Sequence, residues 1–247
     1  MKNTRRMLCF AGRCVREIAR DPLTVFFGLA FPLVLLLLMT LIQANIPVDM
    51  FRIEHLAPGV VVFGQSFLTL FSAMLISRDR STAFLARLYS TPLQARDFLL
   101  GYLLPLLPMA LAQGAIVYIV SLFLGLPLSL HVLTALLAGM IPALLYIALG
   151  LLCGTVLNDK QVGGVCGALL TNLSAWLSGI WFDISLLGGA FGKVCKVLPF
   201  YHAVEACRAA ILGAGGVWGH LAVVLAYAAA LLALAVFCFA RKMKKGV

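Results

Sequence analysis

Charge is what this 247-residue chain has least of: 11% of its residues are Asp, Glu, Lys or Arg, and 63% are apolar. Soluble domains carry about 25% charged and about 45–50% apolar residues. A chain this poor in charge cannot clothe a soluble surface, and its mean hydropathy of +1.06 agrees. Acid is scarcer than base, with 9 Asp and Glu against 19 Lys and Arg and a formal net charge of +10. The cations sit in short clusters beside apolar runs, as in loops on the inner side of a membrane. That distribution excludes nucleic acid as a partner.

Other absences narrow the chemistry. No apolar run contains Asp, Glu, Lys, Arg or His in its interior, where proton relays, ion paths and voltage sensors keep theirs. There is no H-E-x-x-H, and none of the seven cysteines forms C-x-x-C, so zinc and redox sites lack support. Cys195 and Cys207 share one outward segment, where they form either a disulfide or two buried thiols. The run from Gly188 to Lys193 resembles a phosphate-binding loop. It has Leu187 where the first Gly belongs, however, and Val194 where Ser or Thr belongs. The expectation is no catalytic residue, no metal and no cofactor on this chain.

What is present is an all-α membrane protein. Residues 1–22 read as an amphipathic interface helix. Arg6, Arg13, Arg16 and Arg20 fall within an arc of about 80° at 100° per residue, with Glu17 beside them. Met7, Ala11, Cys14, Val15 and Ile18 gather on the opposite side. Such a helix lies on the membrane surface with its arginines near anionic lipid head groups. Asp21-Pro22 is an N-cap followed by proline at the first helical position.

The remainder, 23–247, reads as a six-span domain with spans at about 23–42, 59–77, 98–124, 132–157, 162–182 and 218–240, each near the ~20 residues that cross hydrocarbon. Pro105 and Pro108 predict a kink early in the third span. An even count puts both termini on one side. Segments on that side hold 15 Lys and Arg against 4 on the other, which makes it the cytoplasm of a bacterial-type cell membrane.

Two polar patterns lie inside the spans. Gln65, Thr69 and Ser72 share one face of the second, and Thr171, Ser174 and Ser178 share one face of the fifth. They read either as a candidate substrate path or as hydrogen bonding between helices. Gly150 and Gly154, with Gly163 and Gly167, predict close packing of the fourth span against the fifth.

Between the second and third spans lies a basic island, 78–97. Ser81 or Thr82 reads as the cap of a short helix that presents Phe84, Leu85, Leu88 and Tyr89. Thr91-Pro92-Leu93-Gln94 reads as a capping box launching the third span. Apolar residues exposed in a loop suggest a partner.

Arg78-Asp79-Arg80-Ser81-Thr82 and Leu88-x-x-Thr91-Pro92 resemble the pattern of type-2 ATP-binding-cassette exporter permeases. Leu177-Ser178-Gly179 fits too, as do Pro199-Phe200 and the later Arg208. Departures are Asp79 where Glu is typical, Ser81 where Gly is common, and Tyr102 where Lys often occurs. The resemblance implies that 81–90 is a coupling helix docking on a separate ABC ATPase subunit, which would bind the ATP and Mg. It implies a second permease chain, identical or homologous, and short outer helices over 184–212 within a partly re-entrant region, 183–217. The activity implied is export or flipping of a drug, antibiotic, lipid or polysaccharide. The alternatives are a stand-alone carrier or channel, or a membrane enzyme using an outward histidine such as His202.

Overall fold

A computed structural model describes residues 2–45, 51–82, 94–182, 184 and 189–245. Among them the secondary structure is helical throughout. Helix α1 is Lys2–Arg20. Helix α2, Pro22–Asn45, α3, Ile53–Ser81, α4, Ala95–Phe123, and α5, Leu130–Val156, follow. Next come α6 over 159–177, α7, Gly189–Val197, α8, Pro199–Leu212, and α9, Val217–Lys245. Five helices, α2 to α5 and α9, are long and apolar enough to cross a membrane.

The expected fifth span corresponds to α6, which is not among those five. It is diluted by Thr171, Asn172 and Ser174 and ends before Gly179, whose φ of +72° breaks the helix. Its middle, Gly163–Leu170, is a π-helical stretch in which three glycines weaken the α-helical preference. The Thr171 hydroxyl donates to the Cys166 carbonyl at 2.9 Å. A second π segment, Phe26–Ala30, lies in α2 just ahead of Pro32. Proline cannot donate to the carbonyl four residues back and its ring crowds it, which a wider turn relieves.

Local signals explain the other boundaries. Asp21 caps α2 by accepting from the Leu23 and Thr24 amides at 3.1 and 3.4 Å. Asn158 and Gln161 form a reciprocal capping box at the start of α6, with bonds of 2.9 and 3.1 Å. Thr91, Pro92 and Leu93 of the expected capping box lie outside the described residues. Helix α4 begins at Ala95 with Gln94 as N-cap, and the Gln94 amide donates to Asp97 at 3.0 Å. A turn at Leu104 and Pro105 interrupts the helix where the kink is expected. The second span starts earlier than expected, at Ile53, with Pro58 inside the helix.

Helix α3 is the axis of the bundle. Twenty of its 29 residues are buried, whereas α2 buries a single stripe of Thr24, Gly28, Pro32 and Leu36. The opposite face of α2 leaves Val34, Leu37, Leu38 and Leu41 exposed, as a lipid-facing helix does.

Closest contact is between α3 and α5, and glycine permits it. A Cβ at Gly150 would stand 2.8 Å from the Cα of Thr69, and one at Gly154 would stand 2.5 Å from the Ala73 carbonyl oxygen. This corrects the expected pairing of the fourth span with the fifth. Gly150 and Gly154 pack on the second span. Gly167 meets Leu70 of α3, and a Cβ at Gly163 would meet nothing within 4 Å. Spacing identified a small-residue face but not its partner, and α3, buried on all sides, offers Thr69, Ser72 and Ala73 as the shallowest surface.

Candidate functional site at the basic end of the bundle

Both termini of the described chain lie at one end of the bundle, where α3 also ends. Four consecutive α3 residues, spaced 100° apart around the helix, reach in four directions there. The Ser77 hydroxyl donates to Asp159 at 3.0 Å, fixing the start of α6. Arg78 lies 3.5 Å from Asp21, the α2 cap. Asp79 turns inward and is buried. Arg80 donates to the carbonyls of Thr155 and Leu157 at the end of α5, where a cation offsets the negative end of the helix dipole. Lys242 of α9 donates to the same Thr155 carbonyl at 2.7 Å.

Asp79 is the centre of this arrangement. Its carboxylate takes a fork from Arg13 of α1, with Nη1 at 2.5 Å and Nη2 at 2.6 Å. The Tyr102 hydroxyl of α4 donates to Oδ2 at 2.8 Å. Bidentate guanidinium–carboxylate bonds are among the strongest polar contacts and fix orientation. Arg13 also pairs with Glu17 one turn on, at 3.0 Å. The Asp79 bond raises the Arg13 pKa above its already high ordinary value, so the charge is permanent. Burial lifts the Glu17 carboxyl above the usual range despite Arg13, and pushes the neighbouring Cys14 thiol up to about 12.

An aromatic wedge completes the α1 seat. Phe10 meets the edge of Tyr102 at 4.8 Å between ring centres and Phe98 at 6.0 Å. Gly101 makes the room, since a Cβ there would stand 3.1 Å from the Phe10 Cε1 and closer still to Cδ1. Phe98 in turn packs on Phe239 of α9 at 5.9 Å. Helix α1 is therefore locked to α3, α4 and, through Phe98, α9.

The expected site residues divide accordingly. Arg78, Asp79 and Arg80 form the hub, and Ser81 and Thr82 close the helix by donating to the Arg78 and Asp79 carbonyls at 2.8 and 3.0 Å. Phe84, Leu85, Leu88, Tyr89, Thr91 and Pro92 lie outside the described residues. Arg6, Arg16 and Arg20 are exposed, as an interface helix requires. Arg13 is the exception on that face: it turns to Asp79 instead of outward. Tyr102 stood out only as a departure from the family pattern, and Asp159, Thr155 and Lys242 not at all, because their roles depend on partners 23 to 87 residues away.

Among the described residues the stripe of the second span holds helices together. Gln65 donates to the Gly139 carbonyl at 3.0 Å and Thr69 to Tyr146 at 3.1 Å, while Ser72 sits 3.3 Å from the Ile147 carbonyl. Thr171, Ser174 and Ser178 bond back into their own segment at 2.9, 2.8 and 3.0 Å. All six are buried. The acceptors are the Gly139, Tyr146 and Ile147 carbonyls of α5, which the pattern of polar residues alone does not reveal.

The opposite end holds a cavity of about 440 Å³ lined by His55, Tyr201, Glu205, Arg208 and His220 among others. Buried Arg208 ties it together, bonding Glu205 at 3.1 Å and the Gly179 carbonyl at 3.2 Å. His202 faces His220 with Nδ1 atoms 2.7 Å apart. Cys195 and Cys207 are separate buried thiols.

The family model described as ABC-2 type transporter matches residues 7–212, from α1 to the end of α8. The chain belongs to the ABC-2 type transporter family. No curated protein matches it. As an ABC-2 permease it is a multi-pass membrane protein and a membrane subunit of an ABC transporter, and the family is one of transport permeases. The matched stretch contains Arg13, Asp79, Tyr102 and Arg208.

Proposed function

We propose that this ABC-2 permease is the force-receiving subunit of an ATP-driven exporter. Its basic end lies in the cytoplasm, and a separate ABC ATPase docks on the segment that follows α3. The observation that carries the reading is the hub at Ser77, Arg78, Asp79 and Arg80. It ties the helix leading into that segment to α1, α2, α4, α5 and α6. A push on the segment would move these elements together. The 15 to 4 bias of Lys and Arg supports the cytoplasmic placement of this end.

ATP and Mg act on the partner in this reading, and this chain supplies a path and a lever. A second permease chain, identical or homologous, would form the other wall of that path, since the polar stripes are occupied within one chain. The cargo is moved outward or flipped between leaflets, and belongs to the drug, antibiotic, lipid or polysaccharide classes. The test is co-purification with the ATPase subunit and ATPase stimulation, comparing wild type with Leu88→Asp and Tyr89→Asp. Stimulation should disappear in both variants while the permease still inserts. An unchanged complex with full stimulation would overturn the docking site.

A further inference from the structure

We propose that the elbow between α1 and α2 is a binding site for one anionic phospholipid, its phosphate held by Arg16, Arg20 and Arg78. An open notch of about 730 Å³ lies there, lined by these three residues with Arg13, Glu17 and Asp21. The two acids in the notch are already engaged. Glu17 pairs with Arg13 at 3.0 Å. Asp21 accepts from the Leu23 and Thr24 amides and from the Thr24 hydroxyl at 3.1 Å.

The remaining cations are loosely held. Among the described residues Arg16 reaches only the Gly12 carbonyl, at 3.3 Å, and Arg78 stands 3.5 Å from Asp21. Arg20 has no side-chain partner among the described residues. Three exposed guanidiniums converge on one open space, and such a group suits a phosphodiester, whose oxygens accept paired N–H bonds.

Position selects a lipid over a free anion. The notch sits where an interfacial helix turns into the first span, so its mouth lies at head-group depth. Within about two turns of the elbow, Leu23 and Phe26 are 67% and 46% exposed, which offers acyl chains a wall beneath the arginines. A narrow cleft beside Ile18 and Met74 shares Glu17, Asp21 and Arg78 with the notch. A small anion would use the arginines and leave this apolar wall uncovered. An acidic protein face would meet the same wall at an energetic cost.

The full-length permease, purified in detergent, is titrated with phosphatidylglycerol or phosphatidylcholine, and lipid adducts are counted by native mass spectrometry. One phosphatidylglycerol per chain should persist at concentrations where phosphatidylcholine does not. R16Q/R20Q leaves the Asp21–Arg78 contact in place and should weaken that binding about fivefold per guanidinium removed. The triple variant with R78Q should weaken it further.

The control R5Q/R6Q removes the same charge from α1 outside the notch and should bind as wild type does. Equal loss in the control would reduce the effect to general electrostatics and overturn the proposal. Unchanged binding in R16Q/R20Q would also overturn it. So would equal thermal protection by glycerol phosphate alone, which would indicate a free-phosphate site. If R16Q/R20Q instead lost the ATPase partner with lipid binding intact, the notch would be a protein interface.

Discussion

Arg13 and Asp79 stand 66 residues apart in sequence and meet fork to fork, at 2.5 and 2.6 Å. The pair joins a surface helix to the most buried helix of the bundle, and Tyr102 shares the Asp79 Oδ2 with Arg13. Several consequences of that contact are measurable.

Removing one partner leaves the other charge stranded. Arg13→Ala should destabilise the protein by about 3 kcal/mol, since a buried carboxylate loses its counterion. Arg13→Ala/Asp79→Ala should cost less than the sum of the single changes, because the stranded charge is gone. Thermal midpoints of the four proteins in detergent form the cycle. Additive effects would mean the two side chains do not interact.

Tyr102→Phe tests the third member. The ring still packs on Phe10, while the carboxylate loses a hydrogen bond worth about 1.5–3 kcal/mol. A lower thermal midpoint with unchanged membrane insertion is expected.

Cys14 reports whether α1 is seated. It is fully buried, with its thiol pushed up to about 12, whereas Cys9 on the same helix is exposed. At pH 8, a maleimide should modify Cys9 and spare Cys14 in the wild type. In Arg13→Ala, or with Gly101→Leu displacing Phe10, Cys14 should become reactive. Peptide-resolved mass spectrometry distinguishes the two thiols, and a Cys14 that stays silent in both variants would refute the docking.

Glu17 gives a pH dependence. Its pKa is raised in the folded state, so the folded protein binds this proton more tightly than the unfolded chain. The associated stabilisation is complete below the unfolded carboxyl value and is lost as pH rises through the folded one. Glu17→Gln should therefore match the wild type near pH 4 and equal or exceed it at pH 7. Thermal midpoints across that range check the sign.

The glycine contacts give a contrast between two similar substitutions. Gly150→Leu would drive a side chain into Thr69 and Ser72 and should abolish assembly, whereas Gly163→Leu enters open space in this chain. Overpacking costs typically about 1–3 kcal/mol and more where backbone must move, and at Gly150 the obstacle includes Thr69 backbone. Yield and monodispersity of the two variants should differ plainly.

Much of this architecture was legible from local signals. Asp21-Pro22, the kink at Pro105 and the ends of most apolar runs appear where capping chemistry and hydropathy put them. Asp79 departs from the family pattern, Asp in place of Glu, and its buried fork gives the shorter side chain a physical role. The partner of Gly150, the inward turn of Arg13 and the Gly139 carbonyl that Gln65 meets were not legible. Each depends on which helix lies opposite, a matter of three-dimensional packing that spacing along one helix does not encode. The box formed by Gln94 with Asp97 was not legible either, although it follows the same rule.

The seat of α1 also imposes an order on biosynthesis. Asp79, Phe98 and Tyr102 all emerge from the ribosome after α1, at about 5–20 residues per second, and Phe239 follows last. Helix α1 is thus made before every wall it rests against and must wait for its tertiary contacts. During those seconds its amphipathic character has a second use, as a temporary mooring at the bilayer surface until the wall it will rest against has been threaded through the membrane.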